Sequence, residues 1–89
     1  MSTDSFVFKW ILQAEELFKK GSLEKADNIF AKVLKRDEKC VAALNGRGRI
    51  SEALGFNDRA TEFFQKAVSI LKILALEFKI IGQYLEYKK

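Results

Sequence analysis

The chain has 89 residues, room for one small domain, since domains run to about 50–200 residues. It is 48% hydrophobic, with no proline, five glycines and a net charge of +4. That composition excludes a disordered or low-complexity chain and favours helix. A single cysteine and no histidine exclude an internal disulfide and leave no zinc-ligand spacing.

Thr3, Asp4 and Ser5 can each cap a first helix, and Ser5 is the preferred N-cap. The helix is expected over about 6–20, with Trp10, Ala14, Leu17 and Phe18 on one stripe. Phe8, Ile11 and Leu12 make a second side apolar. Lys19 and Lys20 suit the negative end of the helix dipole, and Gly21 supplies the left-handed residue that ends it. Ser22 is the expected cap of a second helix, about 23–35, whose stripe is Ala26, Ile29, Phe30, Val33 and Leu34. Arg36 to Lys39 is a polar interruption. A third helix starts at Cys40 or Val41 and ends at Gly55, and Cys40 is read as a small residue at its start. A fourth begins near Asn57, a candidate cap.

The fourth helix has no clear end. Phe64, Ala67, Leu71, Leu74, Phe78, Ile81 and Leu85 keep alternating steps of three and four, a heptad rhythm. Two arrangements fit: a turn near Lys72 with a fifth helix over 73–87, or one helix from about 58 to 88.

A period of 34 residues runs through this order. Gly21 falls on Gly55, Ala26 on Ala60, Phe30 on Phe64 and Trp10 on Leu44. Such a period marks stacked units sharing one core. Small residues at Ala14, Gly48, Gly82, Ala26 and Ala60 would let helix backbones approach, with Trp10, Phe30 and Phe64 filling the space left.

With these residues the chain resembles the tetratricopeptide repeat family, whose pattern is W-x2-L-G-x2-Y, then A-x3-F, then P. The first copy gives Trp10-x2-Gln13-Ala14-x2-Leu17 and Ala26-x3-Phe30; the second gives Leu44-x2-Arg47-Gly48-x2-Ser51 and Ala60-x3-Phe64. A degenerate third start is Phe78-x2-Ile81-Gly82-x2-Leu85. Gln13 and Arg47 replace leucine, Ser51 replaces an aromatic, and Glu38 and Lys72 stand where proline falls. The resemblance implies an all-α fold: antiparallel hairpins stacked as a short right-handed solenoid of about two and a half repeats. The single domain spans 1–89, with repeat 1 over about 7–40, repeat 2 over 41–74 and a C-terminal helix over 75–88. The resemblance also favours the turn near Lys72.

It further implies a protein-binding adaptor with a concave groove. Spacing lines that groove with Phe8, Ile11, Leu12, Glu15 and Lys19, then Asn45, Arg49, Glu52 and Ala53, then Lys79, Ile80, Gln83 and Tyr87. An amphipathic helix or apolar peptide suits it. The positions that hold acidic chaperone tails in the family carry Ile11, Glu15, Gly46, Leu76 and Ile80, so such tails are not expected partners. The last segment is apolar on several faces, and Leu74, Phe78, Ile81 and Leu85 are assigned to self-association, making a homodimer the expected state. The alternative is a purely structural assembly module with no free groove.

No catalytic set is assigned. Histidine, the usual general base, is absent, and the adjacent carboxylates Glu15–Glu16 and Asp37–Glu38 do not face each other on a helix. No cofactor or metal is expected. Gly46-Arg47-Gly48-Arg49 lacks the strand that precedes a phosphate loop. Gly48 is explained by helix crossing; Gly46 is not, and two readings stay open for it, room for a ligand or room for a neighbouring side chain. The lysines and arginines are dispersed, so nucleic-acid binding is only a weak third option. The N-terminus lacks a signal-peptide pattern and the stretch 70–85 is too charged to cross a bilayer, so a soluble cytoplasmic protein with no membrane partner is expected.

Overall fold

A computed structural model describes residues 5–88, with side-chain surroundings through Glu86. The chain is all-helical: α1 (Ser5–Lys19), α2 (Leu23–Arg36), α3 (Val41–Ala53) and α4 (Asn57–Lys88). Ser5 is already helical, one residue from its expected cap role, and Thr3 and Asp4 lie outside the described residues. Ser22 stands at the N-cap of α2, yet its side chain makes no capping bond. Asn57 is the first residue of α4, and the Phe56 carbonyl accepts the Ala60 N–H instead.

The α1–α2 and α3–α4 turns are built alike. Gly21 and Gly55 take φ of +85° and +87°, where a Cβ would be strained. At the first, Ser22 N–H donates to Leu17 O and Gly21 N–H to Phe18 O. At the second, Phe56 N–H donates to Ser51 O and Gly55 N–H to Glu52 O. This is the Schellman pattern, in which a left-handed residue lets two terminal carbonyls find donors. Each donor and acceptor of the second turn lies 34 residues beyond its counterpart in the first.

The α2–α3 connection is made differently. Asp37 Oδ1 accepts the Lys39 N–H at 3.1 Å, and the Asp37 carbonyl accepts the Cys40 N–H at 3.1 Å. An aspartate that bonds two residues ahead competes with helix continuation and stops α2. One period later the same positions are Leu71, Lys72, Ile73 and Leu74. Leucine offers no such acceptor, and neither glycine nor proline stands nearby to break the helix. α4 therefore runs through Lys72 without a turn. This corrects the expected fifth helix: the segment 75–88 continues α4, and the uninterrupted arrangement is the one found.

The core lies in α1, α2, α3 and the first half of α4. Ala14, Ala26, Phe30, Val33, Ala43 and Ile50 are buried together, with Trp10, Leu17, Phe18 and Ile29 packed around them. Leu44, Ala60 and Ala67 are also buried. α4 packs against α3 alone among the described helices, and every side chain from Leu71 to Glu86 is exposed. Its 32 residues span about 48 Å at ~1.5 Å per residue, close to the molecule's longest dimension of 52 Å.

Candidate functional site

Two glycines fix how α3 sits in the body. A Cβ at Gly46 would lie 2.7 Å from Phe30 Cδ2, and closer still to Cε2 and Cζ. Gly46 is thus kept small by a neighbouring side chain, the second of the two explanations its sequence allowed. Gly48 is filled by Phe64, whose Cδ1 would be 2.8 Å from an added Cβ. Gly82 was expected at a helix crossing too. It lies on the exposed half of α4, where a Cβ would meet nothing within 4 Å.

The arginines on either side of Gly48 tie the helices together. Arg47 Nε and Nη2 donate to Asp27 Oδ1 and Oδ2 at 2.9 and 3.0 Å, joining α3 to α2. The same guanidinium lies 4.9 Å from the Phe63 ring centroid on α4. Planar, bidentate and stacked, Arg47 uses every feature that separates arginine from lysine. Arg49 Nη2 donates to Glu15 Oε2 at 2.7 Å and its guanidinium lies 4.8 Å from the Phe18 ring, joining α3 to α1. Sequence reasoning missed the role of Arg47, although Asp27 and Arg47 are an acidic and a basic residue on consecutive helices.

The expected groove residues divide into two groups. From α1 and α3, Glu15 and Arg49 are brought into direct contact, and Asn45 is half-buried nearby on α3. Ile11 is partly buried against the core, while Phe8 and Leu12 are 64% and 55% exposed and Lys19, Glu52 and Ala53 are exposed. The second group, Lys79, Ile80 and Gln83, stands on the half of α4 that packs against none of the other helices, and is not gathered with the first. The Tyr87 side chain lies outside those described. Trp10, read as a core filler, is only half-buried; Lys32 and Arg36 approach its ring at 4.9 and 5.5 Å.

α4 carries the largest apolar surface. From Val68 to Leu85, ten large apolar side chains are between 41% and 72% exposed. Leu74, Phe78, Ile81 and Leu85, assigned to self-association, are among them at 41%, 72%, 52% and 60%. Two open depressions flank the place where α4 leaves the body. One, of about 490 Å³, is bordered by Leu34, Leu44, Arg47, Phe63, Lys66 and Ile70. The other, of about 560 Å³, is bordered by Thr61, Phe64, Gln65, Val68, Ser69 and Lys72.

Compared with known proteins, the chain matches no family model, no curated protein and no solved structure. No helix among the described residues is long and apolar enough to cross a membrane. Among those residues no three His, Cys, Asp or Glu side chains gather as a metal site. Cys40 is a half-buried free thiol at the N-cap of α3, the place its sequence suggested.

Proposed function

We propose that this chain is a helical-repeat scaffold of the tetratricopeptide type that binds a protein segment and self-associates. The observation that carries the reading is the pair of Schellman turns at Gly21 and Gly55, alike bond for bond and 34 residues apart. A repeated turn chemistry at the family's period supports a repeated unit, and such units present their first helices side by side. The segment-binding face is then that of α1 and α3. It offers Phe8 and Leu12 as apolar anchors beside the polar Glu15, Asn45, Arg49 and Glu52, a pattern suited to an amphipathic helix. A second reading, a pure assembly module, is favoured by the apolar surface of α4, which exceeds that of α1.

Selection of helical peptides from a displayed library on the immobilised chain tests the scaffold. The control is Phe8→Asp/Leu12→Asp, which changes two exposed side chains and so keeps the helical circular-dichroism spectrum. Selected peptides are expected to lose at least about tenfold in affinity for the variant, about 1.4 kcal/mol. Failure to select any peptide, or peptides indifferent to the variant, would leave assembly as the function.

A further inference from the structure

The apolar stripe of α4 begins on the body and does not stop there. Phe64 is half-buried and Ala67 buried against α3, while Leu71, Leu74, Phe78, Ile81 and Leu85 continue the same stripe exposed. An aromatic side chain carries about 150–250 Å² of surface, so the ten half-exposed residues display on the order of 1,000 Å² per copy. The stripe alone, Leu71, Leu74, Phe78, Ile81 and Leu85, matches the ~300–600 Å² of a typical monomer's largest apolar patch, and the other exposed residues lie on a second face. Two copies together supply the ~1,600 Å² of a standard interface.

The body, for its part, has an unfilled seat. On α2, Phe30 is fully buried because α3 lies over it with Gly46. One period on, Phe64 is only half-buried and borders the open depression shared with Val68 and Lys72. Its ring rests on Gly48 of its own hairpin, whereas the Phe30 ring rests on the hairpin that follows. The position that had to be glycine against Phe30 is therefore free to be bulky against Phe64. One period after Gly46 stands Ile80.

Two independent routes give the register of the missing helix. Phe30 faces Gly46, so the 34-residue period sets position 64 of α4 beside position 80 of the missing helix, with the Phe64 ring itself turned to Gly48. The heptad stripe, paired antiparallel, sets 64 against 81 and 71 against 74, while Ala67 between them stays buried in its own chain. The routes agree on the position along the helix axis to within one residue. Ile80 of the same chain cannot reach Phe64, because 16 residues of unbroken helix hold them about 24 Å apart.

A second copy can. We infer that two copies exchange the distal halves of α4, crossing antiparallel about a two-fold axis beside Lys72 and Ile73. Residues 73–88 of each copy then cover Phe64, Val68 and Leu71 of the other, as the first helix of a third unit. The contact is isologous and closes on itself, so it yields a dimer and not a fibre. The same register sets Val68 against Ala75 and Thr61 against Gly82 of the second copy. Small residues along that flank let the two helices approach, which gives Gly82 the helix crossing it lacks within one chain. The inference deepens the self-association in the proposed function and rests on the repeat reading there.

Spin labels on the outer face of α4 test it in the full chain. With Cys40→Ser as background, the exposed Lys72, Lys79 and Glu86 are replaced one at a time by cysteine and labelled. Static light scattering is expected to give twice the chain mass. The axial offset between the two labels should be near zero at 72, about 20 Å at 79 and about 40 Å at 86, rising ~3 Å per residue from the axis. Short, equal separations at all three positions mean a parallel pair and overturn the exchange; a minimum at 79 or 86 overturns the register. A monomer at high concentration overturns the second copy altogether. A monomer that still selects peptides leaves the scaffold standing without the exchange. An exchanged dimer that selects none does the reverse.

Discussion

Gly46→Ala and Gly82→Ala are the same substitution in two helices, and they should act with opposite sign. Alanine favours a helix interior over glycine by about 1 kcal/mol. At Gly82 nothing of the same chain lies within 4 Å of the new methyl, so in the unpaired chain that gain is unopposed. At Gly46 the methyl meets three atoms of the Phe30 ring, all nearer than non-bonded carbons tolerate. Phe30 is wholly enclosed and cannot swing into solvent. Overpacking of such a site costs roughly 2–3 kcal/mol, toward the upper end of the usual range. Net of the helix gain, Gly46→Ala should destabilise by about 1–2 kcal/mol. For a domain of this size that lowers Tm by roughly 5–15 °C. Urea melts followed by circular dichroism measure both variants. A double-mutant cycle with Phe30→Leu assigns the cause: the smaller side chain makes room, so the cost of Gly46→Ala should fall by more than half in that background. A Gly46→Ala protein as stable as wild type, or a cost unchanged beside Leu at 30, would refute the seating of Phe30 on Gly46.

Two further substitutions probe the ties between helices. Asp27→Ala removes a bidentate pair whose side chains are about a fifth to a quarter exposed, and should cost about 1–2 kcal/mol, between a surface pair and a buried one. Arg47→Ala also loses the stacking on Phe63 and should cost about 0.5–1 kcal/mol more in the same melts; equal losses would mean that the ring contact contributes nothing. Leu71→Asp/Lys72→Pro gives α4 an acidic residue where the first unit has Asp37 and a proline where it has Glu38. If α4 pairs as inferred, the change should convert the dimer to a compact monomer by letting 75–88 fold back, read by light scattering and small-angle scattering. A dimer of unchanged length would show that turn chemistry does not decide the path of α4.

The short connections and the burial pattern of the first three helices were legible because each rests on local chemistry. Gly21 and Gly55 announce left-handed turns, and Ala14, Ala26 and Ala60 are buried on the stripes their spacing marks. The course of α4 was harder to read. Its heptad favoured continuation, but likeness to the family argued for a turn. What decides is the side chain at 71: Asp37 turns the chain by accepting the Lys39 N–H, and Leu71 cannot. Gly46 stood out as unexplained because its partner, Phe30, lies on another helix and leaves no trace in local periodicity. Arg47 was masked similarly. At a position the family fills with leucine it reads as a departure, whereas its stem and guanidinium bridge three helices at once. Of the expected groove residues, only those of α1 and α3 lie on adjoining helices, since the expected contribution of Lys79 and Gln83 required a fold-back that α4 does not make.

The order of packing has a consequence for assembly in time. Each helix of the body meets its neighbours in sequence, so its contacts close short loops, and chains of that kind fold in microseconds to milliseconds. Nothing in that step needs another molecule. Covering the distal stripe does, and its rate rises with protein concentration. If two copies pair as inferred, a newly made chain folds first and pairs second. At low abundance it spends longer with Leu74 and Phe78 in water, open to whatever apolar helix arrives before its twin.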